Sequence, residues 1–158
     1  MGSTARTAIS SRTRPALRAL GALALLAVGV VHLQQYLDLY SAIPTIGTLF
    51  LLNFAGAAVL SLVLLAPTER WAGRLGSAAT WLAALGGVAL AGVAFVFLAI
   101  SERTPLFGFR EPGYDPTAIA ATRIAEVATV VLLGSYLLTR HARDASKRRS
   151  NPPGPRGT

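Results

Sequence analysis

Four polar side chains stand inside otherwise apolar stretches of this chain: His32, Asn53, Arg123 and Glu126. An imidazole can carry a proton or ligate a metal, a carboxyl can pair with a guanidinium, and an amide can hold either by hydrogen bonding. Arg123 and Glu126 are three residues apart, so on a helix they share a face and can pair. That face is expected to continue through Val127, Val130 and Gly134. A second group, Gln35, Asp38, Arg110 and Glu111, falls near the ends of the apolar stretches, where Gln34 and Asp38 share a helix face and could cap it. Cysteine is absent, which removes disulfides, thiolate nucleophiles and Cys-ligated metals within one chain. Two histidines, His32 and His141, are too few for the usual zinc site. No motif specifies a reaction, so neither a catalytic residue nor a metal site is expected.

The elements that must position these groups are long and apolar. Uncharged runs cover Ala19–Leu37, Leu39–Thr68, Leu75–Ser101 and Val127–Thr139, the last reaching back to Thr117 if Arg123 and Glu126 lie within it. A helix crossing a hydrocarbon core ~30 Å thick needs about 20 such residues. An all-α, four-transmembrane-helix bundle follows, with helices over 15–40, 44–66, 76–100 and 116–139. Pro15, Pro44 and Pro116 suit first turns, Pro67 stops the second helix, and Asp115 is placed to cap the fourth. The basic tails 1–14 and 140–158 are expected to be disordered. The first helix follows a basic segment as a signal peptide does, but Val31–Tyr36 offers no small-residue cleavage site, so it reads as uncleaved.

Charge position gives the orientation. Hydrophobic residues make up 53% of the chain and charged ones 14%, and the mean hydropathy is +0.51. Twelve of the 15 cations lie before Ala19, in the Thr68–Leu75 connection or beyond Thr139. The other two connections hold Arg103 and Arg110 against Asp38, Glu102, Glu111 and Asp115. The positive-inside rule then puts both termini in the cytoplasm. Tyr36, Tyr40 and Tyr114 fall at the outer interface, and Trp71, Trp81 and Tyr136 at the inner one. Phe107–Glu111 reads as an aromatic belt segment rather than a lid.

With a rise of ~1.5 Å per residue, His32 lies ~9 Å below Asp38, Asn53 ~13 Å below Pro44, and Arg123 and Glu126 ~10 and ~15 Å below Pro116. All four therefore share one band in the outer half. An unpaired charge at mid-membrane costs about 2.5–3.5 kcal/mol, so the Arg123–Glu126 pair is expected to face inward, toward the first and second helices. The band has a structural reading, in which these groups satisfy one another. It has a functional one too: a pocket for a proton, a small solute or a lipid-soluble cofactor. Haem on His32, paired across a dimer, is a further form of the second reading; no cofactor is the expected state.

The partners implied are the bilayer and, at the basic tails, anionic lipid headgroups. The net charge of +8 does not imply nucleic acid, because no aromatic residues interleave with the basic tails. Ala79, Ala83, Gly87 and Ala91 form a small-residue ladder on the third helix. Such ladders let helices approach closely, here within the bundle or, alternatively, in a homodimer. A hetero-oligomeric membrane partner is the other alternative to packing within the bundle.

The stretch from His32 through Leu33-Gln34-Gln35-Tyr36-Leu37-Asp38 and Ile43-Pro44-Thr45-Ile46-Gly47 to Asn53 resembles small four-helix actinobacterial membrane proteins of unassigned function. Phe107–Glu111 belongs to the same resemblance. It implies fold and location, not activity. The four-span layout is also similar to DoxX-like proteins, with no motif residues carried over. The expectation is a multi-pass protein of the bacterial cytoplasmic membrane, most simply a non-enzymatic component or subunit. The alternative is a small-solute, proton or redox-partner role built on the outer polar band.

Overall fold

A computed structural model describes residues 3–150, with side-chain surroundings for residues 13–139. It contains α1 (Ser3–Asp38), a short 3-10 turn (Tyr40–Ala42), α2 (Pro44–Leu65), α3 (Thr68–Ser101) and α4 (Pro116–Ser150). Each helix contains a segment long and apolar enough to cross a membrane: Thr13–Asp38, Pro44–Leu65, Thr68–Ser101 and Pro116–Thr139. The chain is a multi-pass, four-helix membrane-type protein. The helices form a ring in which α1 and α3 each pack between α2 and α4 and meet each other only narrowly. Arg14 stacks over the Tyr136 ring at 5.7 Å, so the start of the first span and the end of the last lie at one end of the bundle. That is the terminal end of the bundle, and the opposite one is the loop end.

Helix boundaries differ from expectation in three places. Helix α1 begins at Ser3, not Pro15, and α4 runs on to Ser150. Ala and Arg, frequent in both extensions, are strong helix formers, and nothing in either extension stops the hydrogen-bond ladder until Pro15 removes a single donor. Residues 3–14 and 140–150, expected as parts of the tails, are helical continuations of α1 and α4; Met1–Gly2 and 151–158 lie outside the described residues. The expected loop Thr68–Leu75 is a helical turn that ends at Gly73, whose φ of +50° breaks α3 into two pieces. The first piece folds back on the second. Thr68 Oγ1 meets Thr80 Oγ1 at 2.8 Å, and a Cβ on Gly76 would lie 1.9 Å from the Thr68 carbonyl oxygen.

The terminal half has an apolar core of Ala22, Leu25, Ala57, Leu64, Ala83, Ala84, Leu133 and Tyr136. Small residues set its tightness, as expected where lipid removes the hydrophobic drive between helices. Gly21 and Gly87 both receive the Leu133 side chain, and Gly29 lies against Ala57 and the Phe54 backbone. Ser61 adds an interhelical bond, its Oγ donating to the Ala22 carbonyl at 3.0 Å. The ladder on α3 is used here. Ala83, Gly87 and Ala91 are buried among the chain's own helices, and only Ala79 is exposed. The face considered for a homodimer is therefore occupied within the chain. Tyr136, expected as an interfacial anchor, is likewise buried, whereas Trp71 and Trp81 are exposed.

Candidate binding cavity

The loop half is built from different material. The inward stripe of α4 runs Thr122, Glu126, Thr129, Leu133 and Tyr136, a 4-3-4-3 spacing that keeps one face turned to the bundle. This corrects the expected face through Val127, Val130 and Gly134: Val127 is exposed, and the inward stripe is rotated to the other side of Glu126. His32 and Gln35 continue the stripe of α1, and Asn53 that of α2. His32, Gln35, Asn53, Thr122 and Glu126 line a cavity of about 250 Å³ between all four helices. Its walls are mostly apolar, including Leu49, Leu90, Ala94 and Leu98. Leu52 and Val93 line it while being exposed on the bundle surface, so it reaches the membrane-facing side between α2 and α3.

The 102–115 connection roofs the cavity. Leu106 and Phe109 close a two-residue turn by paired backbone bonds of 2.7 and 3.0 Å, with Phe107 and Gly108 at φ of +52° and +80°. Positive φ at both central positions is the primed hairpin geometry. It turns Leu106, Phe109 and Glu111 onto the cavity and leaves Phe107 and Arg110 outside. The belt-segment expectation is corrected accordingly: the loop is a cover. Glu111 fastens it. Its carboxylate accepts from the Tyr40 hydroxyl and from the amides of Gly113 (2.8 Å) and Tyr114 (3.3 Å), and its own amide donates to the Ser101 carbonyl at 2.9 Å. Tyr40 is buried within the protein. Its ring stacks on Phe50 at 4.6 Å and meets Phe109 edge-on at 5.6 Å. Burial first, and then the hydrogen bond to Glu111, raise the Tyr40 pKa above its ordinary value.

Asp115 caps α4 as expected, its Oδ1 accepting the Ala118 amide at 2.9 Å. Its Oδ2 accepts Gln35 Nε2 at 3.0 Å, tying α1 to the same corner. The capping amide first, and Gln35 in addition, hold the Asp115 pKa below the usual carboxylate value.

The expected Arg123–Glu126 pair is not formed. The half-exposed Arg123 side chain reaches toward the loop end and pairs with Glu102, just after α3. Its long stem lets the head snorkel toward water, while Glu126 points to the bundle axis. Only Glu126, of the two, lines the cavity. It is 1% exposed, and neither carboxyl oxygen has a hydrogen-bond partner. Asn53 Oδ1, on a residue 8% exposed, is also unpartnered. His32 Nδ1 lies 2.8 Å from the Val28 carbonyl, which can only accept. Nδ1 must carry the proton, and Nε2 of the neutral ring is an acceptor.

Of the expected outer-face residues, Gln35 and Glu111 join the site, while Asp38 and Arg110 are exposed and do not. Reasoning from sequence missed Tyr40, Ser101, Thr122 and the rings of Phe50, Phe97 and Phe109. The spacing of Thr122 from Glu126 was the available signal, since four residues return a helix to the same face. Among the described residues no cluster of three His, Cys, Asp or Glu could hold a metal, and the His141 side chain lies outside the described ones.

The fold and cavity define a membrane-spanning helical bundle with a roofed, partly polar cavity in one half. The chain matches no protein-family model, no curated protein and no solved structure.

Proposed function

We propose that this is a non-enzymatic component of the bacterial cytoplasmic membrane that holds a small lipid-soluble molecule in its cavity. The observation that carries the reading is the set of three buried, unpartnered oxygens, on Glu126 and Asn53, at an apolar-walled cavity. An unmade hydrogen bond costs about 1–3 kcal/mol for each buried group, more for a charged one, and a ligand that makes those bonds recovers it. The opening between α2 and α3 supplies a route from lipid. Cation asymmetry supports cytoplasmic termini, which puts the cavity in the outer leaflet and the basic ends beside anionic headgroups. The resemblance over His32–Asn53 supports the actinobacterial membrane setting. Service within a larger membrane assembly belongs to the same proposal.

The test is organic extraction of protein purified in mild detergent, with mass spectrometry of the extract. A discrete small molecule is expected from the wild type and lost from Ala94→Phe, which puts a ring into the cavity from its apolar wall. The same extract from both proteins would end the reading, and a Soret band in the visible spectrum would replace it with haem. For topology, an impermeant thiol reagent on intact cells should label Ser41→Cys and not Ala72→Cys, both exposed positions; the reverse pattern would invert the orientation.

A further inference from the structure

Building on the ligand-binding reading, we infer that the cavity takes a lipophilic amine: an apolar body ending in a protonated amino group. The buried polar atoms without a partner at the cavity are all oxygens. Glu126 offers two oxygens without a partner and Asn53 one, and the His32 ring carries an acceptor at Nε2; the Asn53 amide nitrogen is the donor beside them. Among the described residues the one buried donor without a partner is Arg14 Nε, which lies at the opposite end beside Tyr136. A site that accepts selects a head that donates. An ammonium carries three donors and a positive charge to meet the carboxyl group, whereas a hydroxyl brings one donor and no charge. The other carboxylate at the cavity, Glu111, is already held by Tyr40 and two amides, so Glu126 is the open counter-charge.

Charge balance points the same way. The cation nearest to Glu126 on its own helix, Arg123, is committed to Glu102. A carboxylate in a low-dielectric interior needs a compensating charge, and here the ligand can supply it. Rings complete the recognition: Tyr40, Phe50, Phe97 and Phe109 all line the cavity, and a cation over an aromatic face gains about 0.5–2 kcal/mol, most when desolvated. The apolar tail then lies along Leu52 and Val93 toward lipid.

The experiment uses the full chain in lipid nanodiscs, with empty nanodiscs as the blank. Calorimetry compares dodecylamine, dodecanol and dodecanoate, which share a tail and differ in the head. Dodecylamine is expected to bind about tenfold or more tighter than dodecanol, the worth of a charge-assisted hydrogen bond. Dodecanoate should not exceed the blank. Glu126→Gln should weaken dodecylamine by about tenfold while leaving dodecanol within about twofold, so that unchanged dodecanol binding also certifies the fold. Asn53→Leu provides a second, smaller loss for the amine. Equal binding of amine and alcohol, with no effect of Glu126→Gln, would overturn the amine assignment and leave the cavity reading intact. No binding of any amphiphile above the blank would overturn both.

Discussion

Glu126 and Glu111 are two buried carboxylates in one half of a small bundle, and their surroundings set them apart. Glu111 is surrounded by donors: a phenol and two amides. Glu126 is surrounded by none. Their responses to substitution should therefore have opposite signs. Tyr40→Phe strips a hydrogen bond from a charged, buried partner and should cost about 1.5–3 kcal/mol in detergent unfolding. Glu126→Gln replaces a buried carboxyl group that has no hydrogen-bond partner and should be neutral or stabilising when the cavity is empty. Tyr40 also predicts an alkaline signature. Its folded pKa is raised above the ordinary 10.0, so the folded state keeps this proton longer than the unfolded chain does. Stability from this source is complete below pH 10 and is lost as pH rises beyond it. Denaturation curves measured from pH 8 upward should slope down above about pH 10, and Tyr40→Phe should flatten that slope. The Arg123–Glu102 pair behaves differently again. Both partners are partly exposed, so Arg123→Gln should cost less than about 1 kcal/mol in the same unfolding measurement. A loss well above that would mean a pair held more firmly than two partly exposed side chains allow.

Each helix buries a narrow stripe, and the ends of the stripes hold the cavity in shape. At the loop end, Asp115 does double service as the cap of α4 and as the acceptor for Gln35 of α1. Its lowered pKa means that this contribution is present above the ordinary value of 3.8 and lost as pH falls below it. Neutral and mildly acidic pH should therefore leave the corner intact, and Asp115→Asn should mimic the acid form at any pH by loosening the start of α4 in hydrogen exchange. At the terminal end the fold-back before Gly76 is the tight point. A methyl at Gly76 would meet the Thr68 carbonyl carbon at 2.4 Å and its oxygen at 1.9 Å, and backbone has no rotamer to move into. Gly76→Ala should cost at least about 1–3 kcal/mol by unfolding titration. Gly134→Ala, with nothing within 4 Å of the added carbon, should be neutral or stabilise by about 0.5–1 kcal/mol through helix propensity. Equal effects at the two glycines would contradict the fold-back.

Across the whole molecule, the legible parts were those governed by length and charge. Four spans, Pro44 and Pro116 at helix starts, the Asp115 cap and the polar band of His32, Asn53 and Glu126 all follow from rules that act along one helix. What was not legible depends on which helix a side chain meets. Arg123 and Glu126 share a side by spacing, but Glu102 comes from a different helix end, and no local pattern announces it. Tyr40 looked interfacial because it follows an apolar run; a loop some 70 residues away buries it. The same dependence between helices yields a sharp test at the bundle centre. Leu133 of α4 enters the notches left by Gly21 of α1 and Gly87 of α3. A methyl added at Gly21 would lie 2.5 Å from Leu133 Cδ2, with its three nearest contacts all on Leu132 and Leu133. Gly21→Ala should therefore destabilise the wild type by about 1–3 kcal/mol through overpacking. Leu133→Ala should destabilise it too, toward the low end of the 2–5 kcal/mol seen in water-soluble cores, since lipid solvates leucine and packing alone is lost. In the Leu133→Ala background the clash is gone and the new methyl occupies vacated space. Gly21→Ala should then be neutral or stabilising, giving a coupling energy of about 1 kcal/mol or more in a double-mutant cycle. Additive losses would mean that Leu133 does not sit between α1 and α3, and the packing order of the helices would have to be redrawn.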